Sequence, residues 1–349
     1  MAGPPAVFAI FGGKIPRTPD WRVTDSFRAR STYSTAVRTP NIRELNTTEE
    51  LNFTTFVDPC DQWETSGDSN LRANCAADVG PGFTQGEVFI EVDYPGNPDL
   101  NPETAQTFTL GVVYEPEQIA GLTVTADYFQ IEIEDSIRNI PPSSALEQCY
   151  YSPNENSSIC DDVFRDEFSG DVVFMTVQLV NAAREEMSGV DLGLQYVFPA
   201  LGGEFAVNWD TSYLDSFDIE YAGARSKLEI AGTISNGEGG SGSYTNWRSN
   251  LSVAYDRTNW GTSYNMNYIG DADSQFQTIG ATAPGVDDII YHSLEGYMQV
   301  TENFMIRAGV NNLFDKQPPY YTSPIDQNTD PFTYDLLGRR YFVKASYTF

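Results

Sequence analysis

The stretch Leu337-Gly338-Arg339-Arg340-Tyr341-Phe342-Val343-Lys344-Ala345-Ser346-Tyr347-Thr348-Phe349 alternates between apolar and polar side chains and stops on an aromatic residue. Side chains of a β-strand point alternately to its two faces, so one face of this strand is mostly apolar and the other mostly polar. The apolar face carries Tyr341, Val343, Ala345, Tyr347 and Phe349. A soluble edge strand rarely ends on so many outward aromatics, and the pattern is typical of a strand that faces lipid.

Composition favours an all-β protein and argues against two other classes. The mean hydropathy is -0.36, and no apolar run approaches the roughly 18 residues that a membrane-spanning helix needs. The chain is rich in aromatic residues, while Gly and Pro lie mostly between alternating segments, as many turns require. The formal net charge of -29, without a basic patch, argues against nucleic acid as a partner.

Ten segments alternate over about nine residues or more, the length of a tilted membrane strand. Counted from the end of the chain they are the final strand and the segments 303–313, 289–300, 259–270, 246–256, 203–217, 187–198, 121–135, 104–115 and 25–37. Short and long connections alternate between them, as periplasmic turns and extracellular loops do in outer-membrane barrels. The sequence therefore predicts an antiparallel transmembrane β-barrel of about ten strands with long extracellular loops. The apolar phase slips after Tyr128, which predicts a bulge there or a strand that continues above the membrane.

Four cysteines form two close pairs inside polar segments that the strand assignment places outside the cell. We expect local disulfides between Cys60 and Cys75 and between Cys149 and Cys160, which indicates an oxidising compartment. Neither pair has the spacing of a zinc or redox site, and no metal site or cofactor is predicted. The first residues lack the basic and apolar regions of a signal peptide, so we expect an N-terminal part to be missing.

Several short motifs resemble the C-terminal barrel of TonB-dependent outer-membrane receptors. They occur in the family's order at Arg38-Thr39-Pro40-Asn41-Ile42-Arg43-Glu44-Leu45, Asn97-Pro98-Asp99-Leu100-Asn101-Pro102-Glu103, Gly189-Val190-Asp191-Leu192, Val310-Asn311-Asn312-Leu313-Phe314-Asp315-Lys316 and the closing strand from Gly338 to Phe349. The resemblance implies a 22-stranded barrel closed by a plug domain whose TonB-contacting segment, the TonB box, couples uptake to an inner-membrane motor. This chain has about ten strands and no plug. Residues 25–349 are therefore interpreted as the C-terminal part of the barrel and residues 1–24 as a poorly defined remnant. The hypothesis is that this chain is a fragment of a longer receptor or the product of an interrupted gene.

The function implied is active uptake of a scarce nutrient such as a siderophore, cobalamin or an oligosaccharide across the outer membrane of a Gram-negative bacterium. The expected partners are outer-membrane lipid and lipopolysaccharide, the barrel-assembly machinery through the strand ending in Phe349, TonB through the absent plug, and a small-molecule ligand. A small passive pore or surface barrel is the alternative, and a soluble β-rich binding protein is a third class. No catalytic motif is present, and His292 is expected at the interfacial end of its strand, so no enzyme is predicted.

Ligand recognition is expected in the long loops and on the inward face of the barrel. Tyr320, Tyr321 and Phe332 in the last loop and Trp63 in the first could stack on a sugar or a flat chelate, the alternative being packing at the membrane interface. Arg28 and Arg30 point inward, where they meet an anionic ligand or pair with Asp191 and Glu204 across the wall; pairing is favoured. Ser144 and Glu147 are spaced as a capping box, which predicts a short structural helix from Ser144 to Tyr150.

Overall fold

A computed structural model describes residues 19–153, 158–221, 227–236, 241–274, 285–321 and 328–349, and nearly all of its regular structure is β. Three helices are described, α1 (Ile42–Asn46), α2 (Ser69–Asp78) and α3 (Pro142–Tyr150), and none of them is long and apolar enough to cross a membrane. The strands in these ranges are β1 (Asp20–Arg22), β2 (Phe27–Arg38), β3 (Leu51–Val57), β4 (Glu87–Asp93), β5 (Glu103–Tyr114), β6 (Leu122–Asn139), β7 (Val163–Arg165), β8 (Val172–Thr176), β9 (Leu179–Ala200), β10 (Gly203–Tyr221), β11 (Leu228–Glu229), β12 (Thr233–Asn236), β13 (Ser241–Tyr244), β14 (Trp247–Arg257), β15 (Trp260–Ile269), β16 (Ala272–Ser274), β17 (Gly285–Val286), β18 (Ile289–Thr301), β19 (Phe304–Asn311) and β20 (Arg340–Tyr347).

The main sheet contains the ten predicted long strands in the predicted order. Its path runs β1-β2-β5-β6-β9-β10-β14-β15-β18-β19-β20, with β11 added beside β10, and every pairing within it is antiparallel. Short turns and long connections alternate along this path, which confirms the prediction. The Thr348 amide donates to the Asn303 carbonyl in a short turn at 2.9 Å, so the last strand finishes at the short-turn end of the sheet.

Two rows of aromatic side chains mark the height of the apolar outer face. At the short-turn end, Phe198, Phe205 and Tyr255 stack in series, with ring centroids 5.4 Å and 4.6 Å apart. Nearer the loops, the rings of Tyr213 and Trp247 lie 4.7 Å apart. Phe205 and Tyr213 are on the same strand, eight residues apart, which is about 26 Å at roughly 3.3 Å per residue. Because strands of membrane barrels tilt by roughly 35–45°, this distance is about 20 Å along the membrane normal, close to the apolar band of about 25 Å whose edges carry aromatic girdles.

Strands β6, β9 and β10 continue beyond the aromatic row on the loop side, further than the sequence predicted. For β6 the sequence predicted either a bulge at Tyr128 or a continuation above the membrane. The strand does continue above the apolar band, and no register shift occurs at Tyr128. The shifts between β6 and β9 lie between Ile133 and Ile137, where Asp135 has a φ of 54°. The sequence could not locate this bulge because Phe129, Ile131 and Ile133 are apolar side chains on the inward face, which reads in sequence as a change of phase.

The connections after β2 and after β6 fold together into the first loop unit, which is built from residues 39–102 and the described parts of residues 140–178. Its small sheet has the order β3-β4-β8-β7, and the β4–β8 pair joins the two connections in parallel. One face of this sheet and the helices α2 and α3 enclose a core around Phe56, Leu146 and Met175. Both predicted disulfides, Cys60–Cys75 and Cys149–Cys160, lie in this unit.

The second loop unit is built from the described parts of residues 230–246, 270–288 and 312–339. Its sheet has the order β13-β12-β16-β17, in which β12 and β16 again join two connections in parallel. Ile234, Tyr321 and Tyr334 are buried at its centre, at 0%, 0% and 4% exposure. The long loops of this chain therefore have hydrophobic cores, and that of the second unit includes Ile269 and Ile289 at the ends of β15 and β18.

Helix α3 confirms the predicted loop helix but not its predicted cap. It begins at Pro142, with Pro141 as N-cap and no side-chain capping bond, so the Ser144–Glu147 capping box is wrong. Proline suits this position because its missing N–H would have no partner in the first helical turn. A capping box does occur at α1, where the Asn41 side chain accepts from the Glu44 amide and Glu44 accepts from the Asn41 amide, at 3.0 Å and 2.7 Å.

Candidate functional site

Two of the sequence motifs meet at the rim of the main sheet, around Arg38. Its guanidinium donates to Glu103 at 2.6 Å on the neighbouring strand and to Glu44 at 2.9 Å in α1. Glu103 also accepts from the Ile137 amide at 3.1 Å, which ties the top of β6 to the same place. Each carboxylate is therefore shared between several donors, an arrangement that fixes the positions of its neighbours. We interpret these motif residues as the anchor of the first loop unit rather than as ligand contacts.

Other motif residues close turns at the same rim. The amide of Asn97, the first residue of its motif, donates to the Glu44 carbonyl at 2.7 Å. Gly96 directly before it lies against the α1 backbone, where a Cβ atom would stand 2.8 Å from the same carbonyl oxygen, so only glycine fits. After β19, Asn312 adopts a φ of 50°. Its side-chain oxygen accepts from the Lys316 amide at 2.7 Å, and its side-chain nitrogen donates to the Lys316 carbonyl at 2.8 Å. These contacts give the motifs a structural role at the points where strands pass into loops.

Arg28 and Arg30 lie on the polar, inward face of β2, and their partners differ from those predicted. Arg30 donates two hydrogen bonds to Asp127, at 2.9 Å and 2.7 Å, and Arg28 lies 3.9 Å from Asp20. Pairing is thus observed, but the predicted partners Asp191 and Glu204 are wrong. The reason is Gly111, which lies between Arg30 and Asp127 in register; a Cβ atom there would come within 1.8 Å of the Asp127 carboxylate. Without a side chain at Gly111, the arginine reaches across one strand and no further.

The inward face of the neighbouring strands also carries mostly polar side chains. Ser212 donates to Asp191 at 2.5 Å, and the Asn267 amide donates to Asn250 at 2.8 Å. Nearer the last strand, Arg307 and Glu295 form an ion pair at 2.5 Å. Hydrogen-bonding groups that are half exposed on one face can hold water or a polar ligand, so this face is a candidate lining for a hydrated path.

The four predicted aromatic contacts have different environments. Tyr320 and Phe332 are 61% and 72% exposed, so their rings are free to stack on a ligand. Trp63 is partly buried and packs against the core of the first loop unit. Tyr321 is fully buried, with its hydroxyl 3.3 Å from that of Ser274, so its ring packs inside the second loop unit. Ligand contact by Tyr320, Phe332 and Trp63 stays a prediction, whereas the exposed stacking role expected for Tyr321 does not fit its burial.

A cavity of about 570 Å³ in the first loop unit was not predicted. Its lining includes Asp78, Tyr150 and Arg165, which form a chain: Arg165 donates to the Tyr150 hydroxyl and that hydroxyl to Asp78, both at 2.8 Å. Arg165 also binds Asp58, at 2.6 Å and 3.0 Å, in a pair whose carboxylate is fully buried. Burial raises the pKa of the Tyr150 phenol above its ordinary value. Arg165 is the only cation of its loop segment, a sequence signal that could have indicated a buried partner.

His292 lies on β18 beside the loop end of β19, as predicted for an interfacial position. Its backbone carbonyl accepts from the Leu313 amide at 2.7 Å, and its ring contacts Phe314, with centroids 4.9 Å apart. The Tyr264 hydroxyl is 2.7 Å from Nδ1 of the imidazole. These contacts pack the histidine against aromatic neighbours at the end of the wall.

A comparison with protein families finds the family model for the β-barrel of TonB-dependent receptor-like proteins over residues 19–313. The comparison with curated proteins finds no match. This family assignment agrees with the resemblance drawn from the sequence motifs.

Solved structures of receptors share the fold. The ferric enterobactin receptor PfeA of Pseudomonas aeruginosa, in complex with enterobactin, is 15% identical with a TM-score of 0.60, over 96% of this chain and 40% of that one. The siderophore receptor PirA of Acinetobacter baumannii is 15% identical with a TM-score of 0.57, over 95% and 40%. The copper transporter OprC is 15% identical with a TM-score of 0.51, over 95% and 38%. The chain thus spans about two fifths of these structures, and at this identity the likeness is one of fold.

Proposed function

The chain belongs to the family of TonB-dependent receptor-like β-barrels, and from that premise we propose that it forms barrel wall and extracellular loops of an outer-membrane transport receptor. The observation that supports this proposal most strongly is the family match over residues 19–313. The long antiparallel sheet, with folded loop units at one end, agrees with it. Residues 25–349 act as one barrel unit in this proposal. Its location is the outer membrane of a Gram-negative bacterium, with lipid and lipopolysaccharide around its apolar outer face.

The ligand we propose is a scarce small-molecule nutrient such as a siderophore, cobalamin or an oligosaccharide. Exposed Tyr320 and Phe332 would offer rings for stacking, and the inward polar face with Arg28 and Arg30 would line the path. The solved relatives named for ferric enterobactin, siderophores and copper support an iron or other metal complex as the first class to test. In the complete receptor, uptake would be energised by TonB through a plug domain, and the strand ending in Phe349 would be read by the barrel-assembly machinery.

The test is uptake by the producing bacterium with the gene intact and with it disrupted. Cells would be offered labelled ferric siderophores, cobalamin, copper and maltodextrins, each with and without a protonophore. We expect disruption to abolish energy-dependent accumulation of one ligand class, and the intact gene supplied in trans to restore it. If the disrupted strain still accumulated every ligand class as well as the intact strain, the proposal would be contradicted.

Variants of the aromatic side chains refine this test. Replacing Tyr320 and Phe332 together by alanine should weaken binding of the recognised ligand, and its uptake at low concentration, by about thirtyfold, since stacking rings contribute roughly 1 kcal/mol each. Tyr341→Ala is the matched control, because Tyr341 is equally exposed but lies on the outward face of the last strand. Equal uptake by both variants would remove the two loop aromatics from the ligand site.

A passive pore is the second candidate, because even-numbered barrels of about ten strands exist. The purified chain in planar lipid bilayers distinguishes the two functions. Steady ion conductance by the chain alone, together with uptake that a protonophore does not change, would favour the pore. A silent bilayer together with protonophore-sensitive uptake would favour the receptor.

A further inference from the structure

The small sheet of the first loop unit has an apolar face that no described residue covers. The opposite face packs on the core through Phe56, Val92 and Met175. The uncovered face carries four phenylalanines, of which Phe53, Phe89 and Phe164 are 58%, 63% and 47% exposed. Exposed aromatic patches of this kind on proteins commonly mark binding surfaces.

The phenylalanines are arranged around one carboxylate, that of Glu91. In register across the sheet, Phe53 lies opposite Glu91 on one side and Phe174 on the other. Phe174 is in turn opposite Phe164, with ring centroids 5.7 Å apart. Phe89 is two residues before Glu91 on the same face and stacks on Phe53 at 5.5 Å. Glu91 is therefore bordered by rings on three sides.

Glu91 forms no ion pair or hydrogen bond through its carboxylate within the described part of the chain, whereas Asp93, two residues on, accepts from the Glu50 amide at 2.9 Å. A carboxylate with phenyl rings beside it suits a cation, which gains charge pairing from the oxygen atoms and cation–π attraction from the ring faces. An anion or a neutral apolar group would leave the carboxylate without a partner.

The charge of the whole unit favours the same class of partner. Its two segments, residues 39–102 and 140–178, contain nineteen Asp and Glu against three arginines and no lysine. One of the arginines, Arg165, is buried with Asp58. Such a surface attracts cationic molecules and slows the approach of anionic ones.

We propose that this aromatic face, defined by Phe53, Phe89, Glu91, Phe164 and Phe174, is a docking surface for a cationic polypeptide segment. An arginine or lysine of the partner pairs with the Glu91 carboxylate, and apolar side chains next to it cover the phenyl rings. The inference is independent of the small molecule transported, because it concerns a face of the loop unit and not the inward face of the main sheet.

The test uses the full chain in detergent micelles and two fluorescein-labelled peptides with the same apolar residues. One peptide alternates Phe with Arg and the other alternates Phe with Glu, and binding is followed by fluorescence anisotropy. We expect the Arg peptide to bind and the Glu peptide to bind at least tenfold more weakly. Glu91→Gln should weaken binding of the Arg peptide by about tenfold, since a hydrogen bond between charged groups contributes roughly 1.5 kcal/mol.

Two further variants separate the docking surface from general charge attraction. Glu167→Gln removes one exposed carboxylate elsewhere in the same unit and should leave binding within twofold of the original. Phe89→Ser should weaken binding as Glu91→Gln does, while hydrogen exchange of the core around Leu146 confirms that the unit stays folded. Equal losses for Glu91→Gln and Glu167→Gln would overturn the proposal and indicate a diffuse acidic surface.

Other occupants of the face would give different results in the same samples. Sedimentation velocity that shows self-association, abolished by Phe89→Ser and unaffected by either peptide, would assign the face to a second copy of this chain and overturn the proposal. Equal binding of both peptides, unchanged by Glu91→Gln, would show a purely apolar surface and would overturn it as well.

Discussion

In both loop units a short parallel strand pair joins two connections of the main sheet, but the two units are stabilised by different interactions. The first unit contains all four cysteines, as two disulfides, together with the buried pair of Arg165 and Asp58. The second contains no cysteine and buries the tyrosines Tyr321 and Tyr334. The first unit is therefore stabilised by cross-links and an ion pair in addition to its apolar core, whereas the second depends on a core that includes the buried tyrosines. The two units should therefore respond to different perturbations.

The largest difference is expected from the buried ion pair. Asp58→Ala leaves the Arg165 guanidinium, whose side chain is only 10% exposed, without its carboxylate. Removing one partner of a buried pair costs about 3–5 kcal/mol, so the first unit should open while the second is unchanged. Hydrogen exchange read by mass spectrometry, peptide by peptide, measures both units in one sample.

Two controls accompany that variant. Glu167→Ala removes an exposed carboxylate from the same unit and should change exchange little. The double change Asp58→Leu with Arg165→Met removes both charges and should recover most of the lost protection. Equal loss of protection in both units after Asp58→Ala would mean that they unfold as one body.

Reduction of the disulfides is the next largest effect. The bridges span 15 and 11 residues, and a bridge over about 15 residues contributes roughly 3 kcal/mol by restricting the unfolded chain. Dithiothreitol should raise exchange and protease cleavage in residues 39–102 and 140–178. The second unit is the internal control, since it has no disulfide to lose. Protection of the first unit that survives full reduction, checked by thiol labelling, would show that its apolar core suffices.

The strands, the alternation of turns and the disulfide pairing followed from the sequence because each depends on local patterns of spacing. The folded loop units did not, because their parallel pairs, such as Val92 with Met175, join residues from separate connections. The partner of Arg30 depended on Gly111 of an intervening strand. The burial of Tyr321 depended on packing between three loops, and nothing in the adjacent residues separates it from exposed Tyr320.

Alkaline pH should act on the second unit through its buried tyrosines, since burial raises the pKa of Tyr244 as well as that of Tyr334. Tyr334 is the group with the clearest expected effect. Burial raises the pKa of Tyr334 to about 12, whereas an unfolded tyrosine titrates near 10. The unfolded state therefore loses its proton first, and stability that is fully present below pH 10 falls as the pH rises toward 12. The loss should reach about 2 kcal/mol, followed by hydrogen exchange corrected for pH.

A variant assigns this pH dependence to its source. Tyr334→Phe removes one titrating hydroxyl, so the second unit should lose less stability between pH 10 and 12 than the original does. The loss that remains belongs to other buried tyrosines such as Tyr244. The first unit should still weaken, because burial also raises the pKa of Tyr150 above its ordinary value. A second unit that weakens equally in the Tyr334→Phe variant would place the titrating group elsewhere.

The smallest effect is expected where the first unit joins the main sheet. Asn41 caps α1 and Glu44 of that helix also binds Arg38, so Asn41→Ala should cost about 1 kcal/mol and loosen residues 41–47. Ser144→Ala is the matched change at the capping box that the spacing predicted, and it should cost less than about 0.5 kcal/mol because no capping bond exists there. Since both positions lie in the first unit, exchange in the same sample compares them directly. Equal costs would mean that the contact of Glu44 with Arg38, rather than the cap, holds α1 against the rim.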